Sequence, residues 1–105
     1  MNNPWYKTKE WRRLRYHRLK QEPLCRYCKA KGRVTQATTV DHITPQKGDW
    51  ALFIDYTNTQ SLCTPCHSRV KQSIERIGYN KEIGIDGWPI DPRHPANKRE
   101  IGGGE

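Results

Sequence analysis

An α+β fold is predicted for this chain on three observations. Two Cys-x-x-Cys pairs, Cys25/Cys28 and Cys63/Cys66, stand far apart in sequence, a Thr- and Val-rich strand pattern lies between them, and helical patterns flank the set on both sides. With 105 residues and a hydrophobic share of 33%, the chain supports one domain with a thin core, so a staple is expected.

The elements follow in order. Residues from about Thr8 to Gln21 read as a helix, with Trp11, Leu14 and Leu19 on one side. Arg12, Arg13, Arg15, His17, Arg18 and Lys20 fill much of the remaining surface, where arginines could follow a phosphate backbone. Pro23 ends the helix, because proline disfavours helical geometry in the residue before it. The first cysteine pair comes next, then a turn at Lys31-Gly32. Residues 34–43 read as a strand, or two short ones, ending at Pro45. Residues 46–58 form a long connection whose Trp50, Leu52, Phe53, Ile54 and Tyr56 imply a loop packed on the body. Residues 60–62 give a short second strand. Thr64 is then placed as the N-cap of a second helix, with Pro65 at its first position. Val70, Ile74 and Ile77 give that helix an apolar face, and Gly78 is placed to cap its end. Glycine and proline concentrate beyond this point. Residues 1–78 are therefore expected to form the domain. Residues 79–105 are expected to be an irregular extension, anchored by Trp88 and Ile90, with a disordered end.

Lys and Arg outnumber Asp and Glu by 19 to 11, a formal net charge of +8, which favours a polyanionic partner, nucleic acid above all. The N-terminus is polar and basic, and no stretch approaches the ~20 apolar residues of a membrane helix, so an intracellular protein with no membrane partner is expected. In that compartment thiols stay reduced and paired cysteines point to metal. Each Cys-x-x-Cys knuckle aims two thiolates inward, and together they supply the four sulfurs of a tetrahedral structural zinc, with no open position for chemistry. A thiol oxidoreductase would need a βαβ setting that is missing here.

Histidine and carboxylate sit close to those knuckles. Asp41-His42 lies on the first strand, and His67 follows Cys66 in the first turn of the second helix, on the face of Val70 and Ile74. Asp41 and His67 can converge as two ligands of a hard or borderline divalent ion, with His42 beside them able to take a proton near neutral pH.

Val40-Asp41-His42-Ile43, followed by Asn58-Thr59-Gln60-Ser61-Leu62-Cys63-Thr64-Pro65-Cys66-His67-Ser68-Arg69, resembles the HNH nuclease signature in its four-cysteine form. The lead-in helix and Pro23-Leu24-Cys25 are similar to it as well, so the resemblance spans roughly Thr8 to Ile77. It implies a ββα-metal finger and a metal-dependent endonuclease acting on double-stranded DNA. It further implies His42 as general base, Asn58 as the residue that holds the loop, and Asp41 and His67 as ligands, with Cys25, Cys28, Cys63 and Cys66 on structural Zn²⁺. Some members carry another histidine four residues after the last one. Lys71 stands there in this chain, which implies an open site preferring Mg²⁺ or Mn²⁺, with Ni²⁺ or Zn²⁺ as alternatives, and Lys71 free to touch phosphate. Gly87-Trp88-Pro89-Ile90-Asp91-Pro92-Arg93-His94-Pro95 resembles an extension of phage HNH proteins associated with genome packaging, implying a terminase or other packaging protein as partner and the host cytoplasm as location.

Arg69, like the basic residues of the first helix, is a candidate for DNA contact. Trp5, Trp11, Trp50 and Trp88 are read as packing residues, and His17 and His94 as structural. The competing function is a non-catalytic zinc-ribbon module that binds nucleic acid or a packaging protein. Such a module would not need Asp41, His42, Asn58 and His67 together.

Overall fold

The computed structural model describes residues 3–97, and the expected disorder at the chain end lies outside that range. Helix α1, Lys9–Gln21, begins where Thr8 Oγ1 accepts from the Trp11 amide at 3.2 Å. It buries Trp11 and Leu14. The short α2, Arg26–Ala30, grows out of the first knuckle. Strands β1, Thr39–His42, and β2, Thr59–Leu62, pair antiparallel, with Asp41 opposite Gln60 and His42 opposite Thr59. Helix α4, Thr64–Ile77, closes the ββα unit and is stopped by Gly78, whose left-handed φ of 87° favours glycine.

Three details depart from the expectation. The first strand is confined to Thr39–His42 because β2 offers four residues to pair with; Val34 is left 85% exposed. The connection contains a turn of helix, α3, Trp50–Phe53, which Asp49 caps through the Ala51 and Leu52 amides. The N-cap of α4 is Cys63 rather than Thr64: the Cys63 carbonyl accepts from the His67 amide at 2.9 Å, so the knuckle itself opens the helix.

The interior is split into two clusters. One gathers the four cysteines with Tyr27, Leu62 and Val70. The other is aromatic: Trp11, Leu14, Val40 and Phe53, with Trp5 and Trp50 packed against it. Trp5, Trp50 and Phe53 meet at ring separations of 5.1–5.7 Å, so these indoles serve packing.

Residues 79–97 wrap back over the domain, held mainly by polar contacts. Asp91 is fully buried; its Oδ2 accepts from the Asn80 amide at 2.7 Å and its Oδ1 from Arg93 Nε at 3.0 Å. Arg93 reaches on to donate to the Ile43 carbonyl at the end of β1. Ile90 packs against the cysteine cluster, as expected of an anchor. Trp88 is not buried as an anchor would be: it is 53% exposed, and its indole N–H donates to Asn97 Oδ1 within the extension itself.

Glu82 ties this extension to both knuckles, accepting from Lys31 Nζ and from Arg69 Nε at 3.2 Å. Burial raises its pKa, but the hydrogen bonds from Lys31, Arg69 and Asn80 outweigh that and hold it below the ordinary carboxylate value. Its ionised form is therefore favoured by folding, a contribution present above the unfolded pKa and lost as pH falls through the folded one. Glu82→Gln is expected to lower stability by roughly 1–3 kcal/mol at neutral pH. In thermal melts the gap to wild type should hold down to about pH 5 and narrow only in stronger acid. A gap that closes already at pH 6 would contradict the assignment.

Candidate active site and metal centres

The four cysteines converge as their spacing requires. All are buried and free of disulfides, and their sulfurs lie within 4.8 Å of one another. Cys28 Sγ is 3.8 Å from Cys63 Sγ and 3.7 Å from Cys66 Sγ. Sulfurs each about 2.3 Å from one tetrahedral zinc stand ~3.8 Å apart, so the set fits that ion. Outer donors are in place as well: the Cys28 amide faces Cys25 Sγ at 3.5 Å, and Arg69 Nη2 faces Cys66 Sγ at 3.2 Å. A hydrogen bond with the Thr35 side chain draws the Cys28 thiol down to about 6 against the effect of burial, while burial pushes the Cys66 thiol up.

On the same face of the sheet as Leu62 and the cysteines, two residues along β1, Asp41 meets His67 of α4, with His67 Nε2 3.3 Å from Asp41 Oδ1. Two ligand atoms each about 2.1 Å from one ion, at right angles, stand ~3.0 Å apart, so the pair fits a small divalent cation. Both face a cavity of about 790 Å³, lined also by His42, Tyr6, Lys71 and Arg93.

His42 is fixed on two sides. Its ring stacks on Trp11 at 5.2 Å and lies 5.0 Å from Phe53. Its Nε2 is 2.9 Å from the Phe53 carbonyl. A carbonyl can only accept, so Nε2 carries the proton and the imidazole lone pair is left on Nδ1. Asn58 is buried at the base of the connection. Its Nδ2 donates to the carbonyls of Thr44 at 2.9 Å and Leu52 at 3.2 Å, and its Oδ1 accepts from the Thr44 amide at 2.8 Å. Asn58 thereby clamps both ends of the segment that carries the Phe53 carbonyl.

The basic residues expected at phosphate divide into two groups. Arg12 and Arg13 are exposed on α1, and Lys71 is exposed beside the cavity. Arg15 is exposed but donates to the Thr38 carbonyl at 3.1 Å. Arg18 is instead a strut: its guanidinium sits 4.0 Å over the Tyr56 ring and donates to Thr59 Oγ1 and the Tyr56 carbonyl. Arg69 is shared between Glu82 and Cys66. Two residues near the site were not foreseen. Tyr6 lines the cavity from the turn before α1, its hydroxyl pKa raised by burial and then by the Asp41 charge. Arg93 arrives from the extension, and no local spacing in the sequence links it to Asp41.

Comparison with known proteins places this geometry among relatives. A family model described as HNH endonuclease matches residues 25–73. A "Probable HNH endonuclease" of Lactococcus phage SK1 is 33% identical over 89 residues, covering 80% of this chain and 87% of that protein. Among solved structures, the HNH endonuclease of the deep-sea thermophilic bacteriophage GVE2, crystallised with manganese ion, aligns with a TM-score of 0.63 and 41% identity. That alignment covers 69% of this chain and 79% of the other.

Proposed function

Because this chain belongs to the HNH endonuclease family, we propose that it cuts double-stranded DNA, one strand per active site, at a divalent metal held by Asp41 and His67. The observation that carries this reading is the 3.3 Å approach of His67 Nε2 to Asp41 Oδ1 in a cavity shared with a histidine whose Nδ1 lone pair is free. When bound, the ion supplies positive charge to the scissile phosphate and the leaving 3′-oxygen. Mg²⁺ or Mn²⁺ suits a site of one carboxylate and one imidazole with room for water.

The chain's own residues do the rest. His42 Nδ1 takes the proton of the attacking water as general base, while the Phe53 carbonyl holds the ring in the tautomer that leaves this nitrogen open. Asn58 acts at one remove, fixing the loop that presents that carbonyl. Lys71, at the cavity rim, and Arg12 and Arg13 on α1 are placed to meet phosphate. Structural zinc on Cys25, Cys28, Cys63 and Cys66 fixes the start of α4 and with it His67. The phage relatives and the motif at residues 87–95 support a setting in phage DNA processing or packaging inside the host cell, with a terminase or other packaging protein as partner.

A supercoiled-plasmid assay of the zinc-loaded protein tests the reading. Nicked circles are expected with Mn²⁺ or Mg²⁺ and none with EDTA. A protein that binds the plasmid yet leaves it intact with every divalent ion would be a zinc-ribbon binding module instead.

A further inference from the structure

Three consecutive polar residues, Thr59, Gln60 and Ser61, are buried in β2. Thr59 and Ser61 are tied to the scaffold, although Ser61 Oγ, like Gln60 Oε1, is buried without a hydrogen-bond partner among the described residues. The Thr59 hydroxyl donates to the Tyr56 carbonyl at 2.6 Å and accepts from Arg18 Nε at 3.1 Å. Ser61 uses its amide, which donates to Glu22 Oε1 at 2.9 Å, tying β2 to the end of α1. Gln60 is different. Its side-chain Nε2 donates to Asp41 Oδ2 at 3.2 Å, and its Oε1 is buried with no hydrogen-bond partner among the described residues.

The sheet register sets the two side chains next to each other. Asp41 and Gln60 are directly opposed across the antiparallel pair, so their side chains rise on one face within reach of each other. A flipped amide would set Oε1 against the carboxylate oxygen, so the donor orientation is the one the site enforces. With Oδ2 engaged by Gln60, the other oxygen, Oδ1, is the one that faces His67.

Resting on the reading that Asp41 and His67 hold the divalent ion, we infer that Gln60 is a positioning residue of that metal site, turning the Asp41 carboxylate so that one chosen oxygen is offered as ligand. The residue type matches the task. Lys or Arg would also grip the carboxylate but would cancel the charge that attracts a cation. Glu would repel it, and an apolar residue would leave it free to rotate. A neutral carboxamide holds the group and leaves its charge intact. The buried Oε1 burdens the fold, and what sets Gln60 apart from Ser61 beside it is the amide that reaches Asp41.

The test measures Mn²⁺ binding to the zinc-loaded full chain by electron paramagnetic resonance, without DNA. Gln60→Met keeps the volume and removes both the donor and the orphaned oxygen. It is expected to bind Mn²⁺ about 10–100-fold more weakly, with unchanged or higher thermal stability. Its nicking rate should recover toward wild type at saturating metal, a change in metal requirement rather than in turnover. In an Asp41→Asn background the same substitution should change nothing further. Wild-type protein that binds no Mn²⁺ would sink the metal-site reading itself. Wild-type binding matched by Gln60→Met, with or without lower stability, would overturn the role of Gln60 alone, as would an equal loss in the Asp41→Asn background. Should Gln60→Met fail to fold, the wild-type Gln60 NH₂ resonances become the probe: they must shift on addition of Mg²⁺, and unmoved signals overturn the inference.

Discussion

Replacing His42 by Ala is expected to slow metal-dependent plasmid nicking by about 10²–10⁴-fold, the span a positioned general base contributes. The size of the effect follows from geometry. Nε2 is committed to the Phe53 carbonyl, so Nδ1 is the nitrogen able to receive a proton, and the stack on Trp11 and Phe53 fixes its direction. Neighbouring groups do not replace it: Asp41 and His67 are the proposed metal ligands, and Tyr6 is made a weaker acid by burial and the Asp41 charge. Because His42 also packs, the alanine leaves a gap in the aromatic cluster. The comparison therefore requires equal zinc content and a preserved circular dichroism spectrum. A folded variant that nicks within tenfold of wild type would remove His42 from the role of base.

The second large effect concerns the cysteine cluster. Four thiolates on one zinc contribute on the order of ten kcal/mol in small zinc peptides, as much as the whole stability of an ordinary domain. Here the proposed zinc would join α2 to the start of α4 across the end of β2, and the fully buried apolar residues beside it are few: Tyr27, Leu62 and Val70. Cys66→Ser, or zinc stripping by a strong chelator, is expected to abolish the cooperative thermal transition rather than lower its midpoint. Far-UV circular dichroism with zinc quantification reads this directly. A chelated chain that melts as before would make the cysteines ordinary core residues. The two proposed metals should also separate in time, since the Asp41–His67 pair is partly exposed at an open cavity while the four sulfurs are buried.

Much of this architecture was legible because the decisive interactions are local. The start of α1 near Thr8 and the stop of α4 at Gly78 follow from short-range spacing, and each knuckle is legible by itself, their meeting following from the four sulfurs one zinc needs. That Asp41, His42 and His67 would lie close together was legible because each stands within a strand or next to a cysteine whose place was already determined. What escaped depends on side chains meeting across the fold. Arg18 lies among exposed arginines in sequence, yet its place on α1 points it at Tyr56 and Thr59. Trp88 has the composition of an anchor, but buried Asp91 and Asn80 do the anchoring through hydrogen bonds. Gln60 sits in a run of three polar residues, in a segment legible only as a short strand. The missing alternation beside Asp41's partner strand was the one available signal, and it becomes informative once the register is known.

The return of the extension to β1 bears on how far the catalytic unit can be transplanted. A graft of residues 25–78 would carry every cysteine, both proposed ligands and the proposed base. It would leave behind Trp11, on which the His42 ring lies, and Arg93, whose guanidinium grips the Ile43 carbonyl one residue beyond that histidine. The reacting groups are contiguous in the chain, but the walls that orient them come from both flanks. A portable nuclease cassette from this scaffold therefore runs at least from Trp5 to Arg93.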